Sequence, residues 1–325
     1  MSRVSEGSCD IMITTVTLNA AIDKAYYMKQ EIVGGTVMRV KKVQNTAGGK
    51  GLNVARVVKL CGEKVLATGI VGGFNGQYLE QMLTEDGVSH NFLHIKSETR
   101  SCINILDDRF GSTEFLEPGF EMTQDEEAEF LDLFRGLIAQ SDIVTISGSV
   151  PKGLSANIYE KMIELVKNQE KLVILDTGGN LLATGLLAKP TVIKPNREEL
   201  EALLGKDIES LSVAAAYAAQ LSKSGIPFVI VSLGKDGALL ACGEGVFHGR
   251  CARKVKIYNT VGCGDAMVGG FAVALFREYP PDQALKYAIA AATANAMSEK
   301  TGSFDPKVLN DLFENITVKK MKIKQ

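Results

Sequence analysis

The run Asn259-Thr-Val-Gly-Cys-Gly-Asp265 places a carboxylate and two glycines directly before a long apolar segment. Gly262 and Gly264 allow a sharp turn, after which their backbone N–H groups converge on the first turn of a helix. Unpaired N–H groups at a helix N-terminus bind anions. Beside such an anion hole, Asp265 could accept a proton from a hydroxyl while the amides stabilise a phosphoryl group in transfer. A simple turn and a helix cap at Asp265 stay open as the alternative.

A second glycine-rich run, Ala47-Gly-Gly-Lys-Gly-Leu-Asn-Val-Ala55, lies early in the chain. It differs from a P-loop, because Lys50 is followed by Gly51 where Ser or Thr is required, and the glycine spacing also differs. We expect a close approach of the backbone to a polyhydroxylated ligand, with Lys50 and Asn53 directed into the site. A plain helix entry is the alternative interpretation.

The composition excludes several classes of function. The 325 residues carry 36 Lys and Arg against 38 Asp and Glu, and this net charge of −2 argues against a nucleic-acid partner. No apolar run reaches the ~18 residues of a membrane span, so we expect no membrane partner. The six cysteines form no C-x-x-C pair, which predicts reduced thiols and a cytoplasmic location. With three histidines, a histidine-based zinc site is not expected.

Short apolar strands alternate with amphipathic helices along most of the chain. Strands are predicted at Ile143–Ser147 and Phe228–Ser232, and helices at Arg197–Leu204 and Pro306–Asn315. This alternation predicts an α/β fold, in which helices cover both faces of a mostly parallel sheet.

Two segments interrupt the alternation. Residues 25–43 and 92–115 have strand-like patterns without convincing helices, and we expect them to form a small β-sheet lid. Together with these lid strands, residues 11–325 are predicted to form a single α/β domain. Residues 1–10 are polar and are expected to be a leader or a flexible N-terminus, and the basic C-terminal tail is expected to be a solvated end.

The two glycine motifs resemble, in their order, the two signatures of the ribokinase-like, or phosphofructokinase-B-type, carbohydrate kinases. The resemblance extends from about Met12 to Ile316. Further matching runs are Thr17-Leu-Asn-Ala-Ala-Ile-Asp23, Thr99-Arg100, Ser147-Gly-Ser-Val-Pro-Lys-Gly153, Lys194-Pro-Asn-Arg-Glu-Glu199 and Ser232-Leu-Gly-Lys-Asp-Gly237. The resemblance implies a ribokinase-like fold with ATP and Mg²⁺ as cofactors.

For the sugar, the resemblance implies that Asp23, Asn53 and the backbone at Gly48 and Gly49 bind hydroxyl groups, and that Asp265 is the base that activates the acceptor hydroxyl. It also implies a sugar that already carries a phosphate. The residues expected to face that phosphate are Arg39, Lys50, Arg100 and Ser149. Two of these cations lie in the proposed lid, which would close over the substrate and exclude water.

For the nucleotide, the resemblance implies that Lys194 reaches the phosphates and that Asn196 and Glu199 hold Mg²⁺, through water as this ion prefers. Asn196 is also a good helix cap, so an exposed helix start is the alternative for this pair. The other implied nucleotide contacts are Ser232, Gly234 and Gly237 around the ATP tail and Asn295 near the adenine or ribose.

Within the family, the motifs are most similar to those of enzymes that act on tagatose 6-phosphate, and enzymes that act on fructose 1-phosphate are near neighbours. The alternatives are a family member that binds sugar phosphate without catalysis and, disfavoured by the missing dinucleotide fingerprint, an oxidoreductase. Cys263 stands where the family usually has Ala or Ser, and a thiol at a helix N-terminus is expected to be acidic and reactive. A homodimer through the lid strands is also expected, because exposed sheet edges seek partners.

Overall fold

One large sheet and one small sheet organise the part of the chain that the computed structural model describes, residues 12–107 and 111–322. The strands, in chain order, are β1 (Ile13–Thr17), β2 (Ala21–Tyr27), β3 (Lys42–Gly48), β4 (Val65–Gly72), β5 (Ser89–Ile95), β6 (Arg100–Asp107), β7 (Gly111–Leu116), β8 (Ile143–Ser147), β9 (Leu172–Asp176), β10 (Val192–Ile193), β11 (Phe228–Ser232), β12 (Ala238–Cys242), β13 (Gly245–Cys251) and β14 (Ile316–Lys320). The helices are α1 (Lys50–Leu60), α2 (Gly73–Glu85), α3 (Gln124–Ile138), α4 (Ile158–Asn168), α5 (Gly179–Gly185), α6 (Arg197–Leu204), α7 (Leu211–Lys223), α8 (Cys263–Phe276), α9 (Pro281–Ala296) and α10 (Pro306–Asn315).

The large sheet has the strand order β14-β13-β12-β11-β10-β9-β8-β1-β4-β5. The strands from β11 to β5 pair in parallel, whereas β12, β13 and β14 continue the sheet in antiparallel fashion. The expected α/β fold with a mostly parallel sheet is therefore confirmed.

Helices cover both faces of this sheet, and each face has its own apolar core. One core packs α1, α8, α9 and α10 against the sheet, and the other packs α3, α4 and α7. Helix α8 is buried from Asp265 to Ala274, which explains why its sequence is apolar on every side. Close packing of α8 depends on Gly269, where an added Cβ would lie 2.6 Å from Val57 Cγ1 of α1.

The small sheet has the order β3-β2-β6-β7. Its strands differ from the segments expected for a lid. The sheet begins at Ala21, and β3 begins only at Lys42, because residues 28–41 form no strand. The residues of β5 were expected in part to join the lid, but they pair in parallel with β4 at the edge of the large sheet. The crossover through α2 makes β4 and β5 an ordinary parallel pair.

The basic C-terminal segment also differs from the expected solvated end. Residues Ile316–Lys320 form β14, which pairs with β13 from Cys251↔Ile316 to Phe247↔Lys320. Strand β14 is short and ends in lysines, as is common where a sheet edge meets solvent. The predicted leader at residues 1–10 lies outside the described residues. Among the described residues, no helix combines the length and the apolar character that a membrane span needs.

Candidate active site

The candidate site lies where α1 and α8 begin, beside the carboxyl ends of β9 and β10. Gly262 precedes α8 with φ 76°, and an added Cβ there would lie 2.4 Å from Thr301 Cγ2. The backbone N–H groups of Gly264 and Asp265 lie in the first turn, where a helix offers no acceptor. The N–H of Cys263 donates to the Thr260 carbonyl at 3.3 Å, so it contributes less to an anion hole than the two that follow.

Asp265 is the buried carboxylate of the site. Asn53 Nδ2 of α1 donates to Asp265 Oδ2 at 2.7 Å, which brings together two residues 212 positions apart. Burial and then the negative charge of Asp176 raise the pKa of Asp265, the Asn53 hydrogen bond and the charges of Lys50 and Lys194 oppose the rise, and the resulting pKa is about 6. A buried carboxyl with a pKa near 6 suits a general base at neutral pH.

Arg56 fixes the orientation of Asn53. Its two terminal nitrogens donate to Asn53 Oδ1 and, at 2.8 Å, to the Ala47 carbonyl. Because Asn53 Oδ1 accepts from Arg56, the amide nitrogen of Asn53 is left to face Asp265. Arg56 was not predicted from sequence, although its position three residues after Asn53 places both on one face of α1.

Asp23 and Gly48 meet across the small sheet. An added Cβ on Gly48 would lie 2.1 Å from Asp23 Cγ, so only glycine fits opposite this carboxylate. Burial raises the pKa of Asp23 to about 6, while Arg56 and Arg100 lower it. Together with Asn53, this half-buried carboxylate gives the mouth of the site several acceptors and donors suited to hydroxyl groups.

Two lysines converge on Asp176, the last residue of β9. Lys194 Nζ lies 3.1 Å from Asp176 Oδ1, and Lys50 Nζ lies 3.7 Å from Oδ2. Both Asp176 and Lys194 are buried, whereas the Lys50 side chain is 42% exposed. Lys194 Nζ also lies 3.3 Å from the position of a Cβ added to Gly264, which places its charge against the first turn of α8. Asp176 was not predicted from sequence. The feature that could have indicated it is an acidic residue at the end of an otherwise apolar strand, β9.

Arg100, Asn19 and Ser149 form a separate polar cluster. Arg100 donates to the carbonyls of Asn19 and Glu117 at 3.1 and 2.9 Å, and Asn19 Nδ2 donates to Ser149 Oγ at 3.3 Å. Two buried atoms of this cluster, Asn19 Oδ1 and Arg100 Nε, have no hydrogen-bond partner among the described residues. Arg39 is exposed in the segment between β2 and β3, where the structure gives it no ion pair.

Asn196 and Glu199 form a reciprocal capping box at α6. Glu199 Oε2 accepts from the Asn196 N–H at 2.8 Å, and Asn196 Oδ1 accepts from the Glu199 N–H at 2.7 Å. The other carboxylate oxygen of Glu199 lies 3.1 Å from the position of a Cβ added to Gly178. Among the described residues, no three His, Cys, Asp or Glu side chains converge as a metal site. The oxygen donors present suit Mg²⁺ held through water rather than in a closed cage.

The turn after β11 supplies exposed backbone. Ser232 pairs with Asn196 through an isolated bridge, and Gly234 and Gly237 adopt φ 58° and 85°. An added Cβ on Gly237 would lie 2.0 Å from the Gly249 carbonyl, so glycine is required there.

Asn295 has a different place from the one expected. Its side chain is fully buried, with Nδ2 donating to the Val261 carbonyl at 2.9 Å and Oδ1 accepting from the Gly302 N–H at 2.8 Å. The expectation of a contact with adenine or ribose was therefore wrong, because both ends of this amide hold the loop before α8. The expected acidity of Cys263 was also wrong, since burial raises the pKa of its thiol.

Comparisons with known proteins agree on one family. The family model described as pfkB family carbohydrate kinase matches residues 16–308. A tagatose-6-phosphate kinase of Staphylococcus epidermidis is 39% identical over 94% of this chain and 99% of that protein. Phosphofructokinase-2 from Escherichia coli, solved with potassium, superposes with a TM-score of 0.88 at 26% identity over 93% of this chain and 98% of that chain. A Thermotoga maritima structure described as "Possible 1-phosphofructokinase" has a TM-score of 0.84 at 26% identity, and the match covers 96% of this chain and 100% of that chain. The resemblance read from the motifs is confirmed: the chain belongs to the pfkB family of carbohydrate kinases and is an ATP-dependent sugar kinase.

Proposed function

We propose that the protein transfers the γ-phosphoryl group of ATP to tagatose 6-phosphate, forming tagatose 1,6-bisphosphate and ADP. The observation that carries this proposal is the 39% identity to a tagatose-6-phosphate kinase over nearly the whole of both chains. The Arg100 cluster supports it, because a guanidinium, an amide and a hydroxyl with buried atoms left unpaired are suited to a phosphate that the sugar already carries.

The proposed step is an in-line displacement. The acceptor hydroxyl oxygen forms a bond to the γ-phosphorus, the bond from that phosphorus to the bridging oxygen breaks, and its electron pair leaves with ADP. Asp265 takes the hydroxyl proton, and the amides of Gly262, Cys263 and Gly264 stabilise the charge on the phosphoryl group. Asp23, Asn53 and the glycines Gly48 and Gly49 orient the sugar so that its hydroxyl lies next to Asp265.

The nucleotide would lie over the β10–α6 and β11–β12 turns. In this arrangement Lys194 contacts its phosphates, and Ser232, Gly234 and Gly237 line its tail. Glu199 and Asn196 would hold Mg²⁺ through water, because one carboxylate oxygen of Glu199 is outside the capping box. Bound there, the ion would neutralise charge on the ATP phosphates.

Fructose 1-phosphate is the second candidate substrate. The similarity to the Thermotoga structure favours it, because that structure is described as "Possible 1-phosphofructokinase". Both reactions end in a ketohexose 1,6-bisphosphate and differ in the end of the sugar that is phosphorylated.

The test is ADP release with tagatose 6-phosphate, fructose 1-phosphate, fructose 6-phosphate and free hexoses at equal concentrations. We expect the highest kcat/KM with tagatose 6-phosphate, and phosphorus NMR of the product should show a new phosphate at C1. A higher kcat/KM with fructose 1-phosphate would replace the first candidate by the second. No turnover with any sugar phosphate would contradict both.

We also propose a homodimer through the small sheet. The strand register puts Tyr26, Val43, Ile103, Ile105 and Phe115 on one face, and Phe115 is 58% and Val43 48% exposed. Such an apolar face favours a partner surface. A tetrameric form of the E. coli phosphofructokinase-2 has been solved, so higher assembly occurs in a structural neighbour.

The dimer is tested by sedimentation equilibrium. Phe115→Lys should give a monomer, whereas Leu187→Lys, at a site that is 70% exposed on another part of the molecule, should leave the mass unchanged. A monomeric wild type would contradict the proposal.

A further inference from the structure

Within the cluster of Lys50, Lys194 and Asp176, the single carboxylate does not balance the charge of both lysines. Two ammonium groups face one carboxylate, at 3.7 and 3.1 Å, and the oxygens of Asp176 accept no hydrogen bond from any described residue. Each ammonium has three N–H donors, so most of their donors are left for a ligand. The two ammonium groups also interact with the Asp265 carboxylate, so the feature that suits an anion is their free N–H donors at a partly open position.

The topology puts this charge beside the anion hole. Strands β9 and β10 are neighbours in the sheet, so Asp176 and Lys194 emerge side by side at its carboxyl edge. Lys50 is the first residue of α1, and Lys194 Nζ lies against Gly264 in the first turn of α8. The ammonium groups and the free amides of α8 therefore face the same space.

Lys50 has a different environment from the Arg100 cluster. The first side-chain carbon of Lys50 passes Gly148, with 3.7 Å between Lys50 Cβ and the position of a Cβ added to Gly148. From there the side chain extends to Asp176, and it makes no contact with the polar atoms of Arg100, Asn19 or Ser149 that the structure records. The charge of Lys50 is therefore held beside Asp176, on the side of the site where α8 begins.

We propose that Lys50 contacts the phosphoryl group in transit, together with Lys194, and does not bind the phosphate that the sugar already carries. The inference rests on the proposed kinase reaction and reassigns Lys50 within it. Asp176 is then a positioning residue that holds both ammonium groups at the anion hole before the nucleotide arrives. The long 3.7 Å separation leaves Lys50 free to move onto the equatorial oxygens as their charge develops.

The first test is Lys50→Met, which keeps the length of the side chain and removes its charge. We expect kcat to fall about 100-fold or more, with the KM for tagatose 6-phosphate changed less than about threefold. Any turnover of unphosphorylated tagatose should fall by the same factor. Lys59→Met, at an exposed position near the end of the same helix, is the matched control and should keep wild-type kcat.

The opposite pattern would overturn the inference. If Lys50 serves the phosphate of the sugar, Lys50→Met will raise the KM for tagatose 6-phosphate tenfold or more and leave the turnover of free tagatose unchanged. Circular dichroism and the Tm of each variant check that it is folded, and Lys50→Arg should recover part of the lost kcat.

Nucleotide binding separates this inference from the substrate assignment, because it needs no sugar. Calorimetric titration of Lys50→Met should show about tenfold weaker binding of a non-hydrolysable ATP analogue and unchanged binding of ADP. Equal affinities in variant and wild type would contradict a contact between Lys50 and the γ-phosphoryl group, whichever sugar phosphate the enzyme accepts.

The positioning role of Asp176 has its own readout. Asp265 faces Asp176, Lys50, Lys194, Arg56 and Asp23, and the charge of Asp176 raises its pKa. Asp176→Asn should therefore lower kcat about tenfold and move the acid limb of the kcat/KM profile to lower pH. An acid limb at the wild-type position would show that Asp176 is merely structural.

Discussion

At the scale of single residues, Asp265 combines a proposed catalytic role with an energetic cost. The pKa of Asp265 is about 6 in the folded protein and 3.8 in its ordinary state. Between these two values, the folded protein keeps a proton that the unfolded chain has released. Stability therefore falls as the pH rises from about 4 to 6, and above that range the folded state contains a buried charge.

Asp265→Asn tests both aspects. Loss of the base should lower kcat by about 10²–10⁴. Removal of the buried charge should raise the free energy of unfolding at pH 7 by about 1–3 kcal/mol, and this gain should vanish near pH 4. Urea unfolding at both pH values measures the gain. Equal stability of variant and wild type at pH 7 would contradict the charge penalty.

The activity of the wild type should depend on pH in the same sense. A base must be ionised to accept a proton, so kcat/KM should fall below about pH 6, where Asp265 becomes protonated. Asp23 has a similar pKa and contributes to the same limb. A rate profile that stays flat down to pH 5 would contradict the roles of both carboxylates.

Gly48→Ala probes the contact between β2 and β3, the two strands proposed to bind the sugar. The new Cβ would displace the Asp23 carboxylate, which lies 2.1 Å from its position. We expect the KM for the sugar phosphate to rise about tenfold or more, with the affinity for ATP unchanged. Gly136→Ala, where nothing lies within 4 Å, is the control and should leave both constants at wild-type values.

The sequence indicates candidate site residues where a local motif carries their chemistry, and it does not indicate candidates such as Asp176 whose surroundings come from distant segments. Asp265, Asn53 and Gly48 were identified because glycines flank polar groups in short runs. Asp176 acquires its role only when β9 lies beside β10. The amide of Asn295 was given a ligand because sequence could not show that both of its ends bind backbone.

At the scale of elements, the helix boundaries that can be predicted from sequence are those that a capping motif marks. Helix α3 begins at the capping box of Thr123 and Glu126, whose three-residue spacing is visible in the sequence. Helix α6 covers Arg197–Leu204 as expected. Helix α5 begins at Gly179 directly after Gly178, and it was missed because two glycines obscure the start of a helical pattern. Strand β14 was missed because a lysine-rich end has the composition of a tail.

Gly269→Ala tests the packing of α8 on α1. The added methyl group would lie 2.6 Å from Val57 Cγ1, so the helices must separate. We expect a loss of about 1–3 kcal/mol in the free energy of unfolding. Combining it with Val57→Ala should restore part of this loss, because the smaller residue makes room. A strictly additive double variant would contradict the proposed clash.

At the scale of the whole molecule, ligand binding and stability are linked. A ligand that binds only the folded state adds about 2.7 kcal/mol at 100 times its Kd. The sugar phosphate and a non-hydrolysable ATP analogue should each raise the Tm of the wild type. Gly48→Ala should lose the shift caused by the sugar and keep the one caused by the nucleotide. Loss of both shifts would show that the two sites are not separable.

The pairing within the small sheet could not be predicted from sequence. Strand β2 pairs in parallel with β6, which lies across β3, α1, β4, α2 and β5 in the chain. Local patterns showed strand character in both segments, but they contain nothing that specifies the partner or the register.

This parallel pairing also affects the order of folding. Strand β2 pairs with β3, the next strand in the chain, whereas its pairing with β6 closes a much longer loop and the β1–β8 pair of the large sheet closes one longer still. Asp23 and Gly48 lie on β2 and β3, so their alignment does not require β6 to have joined the sheet. A refolding chain should therefore align these two residues before either sheet is complete.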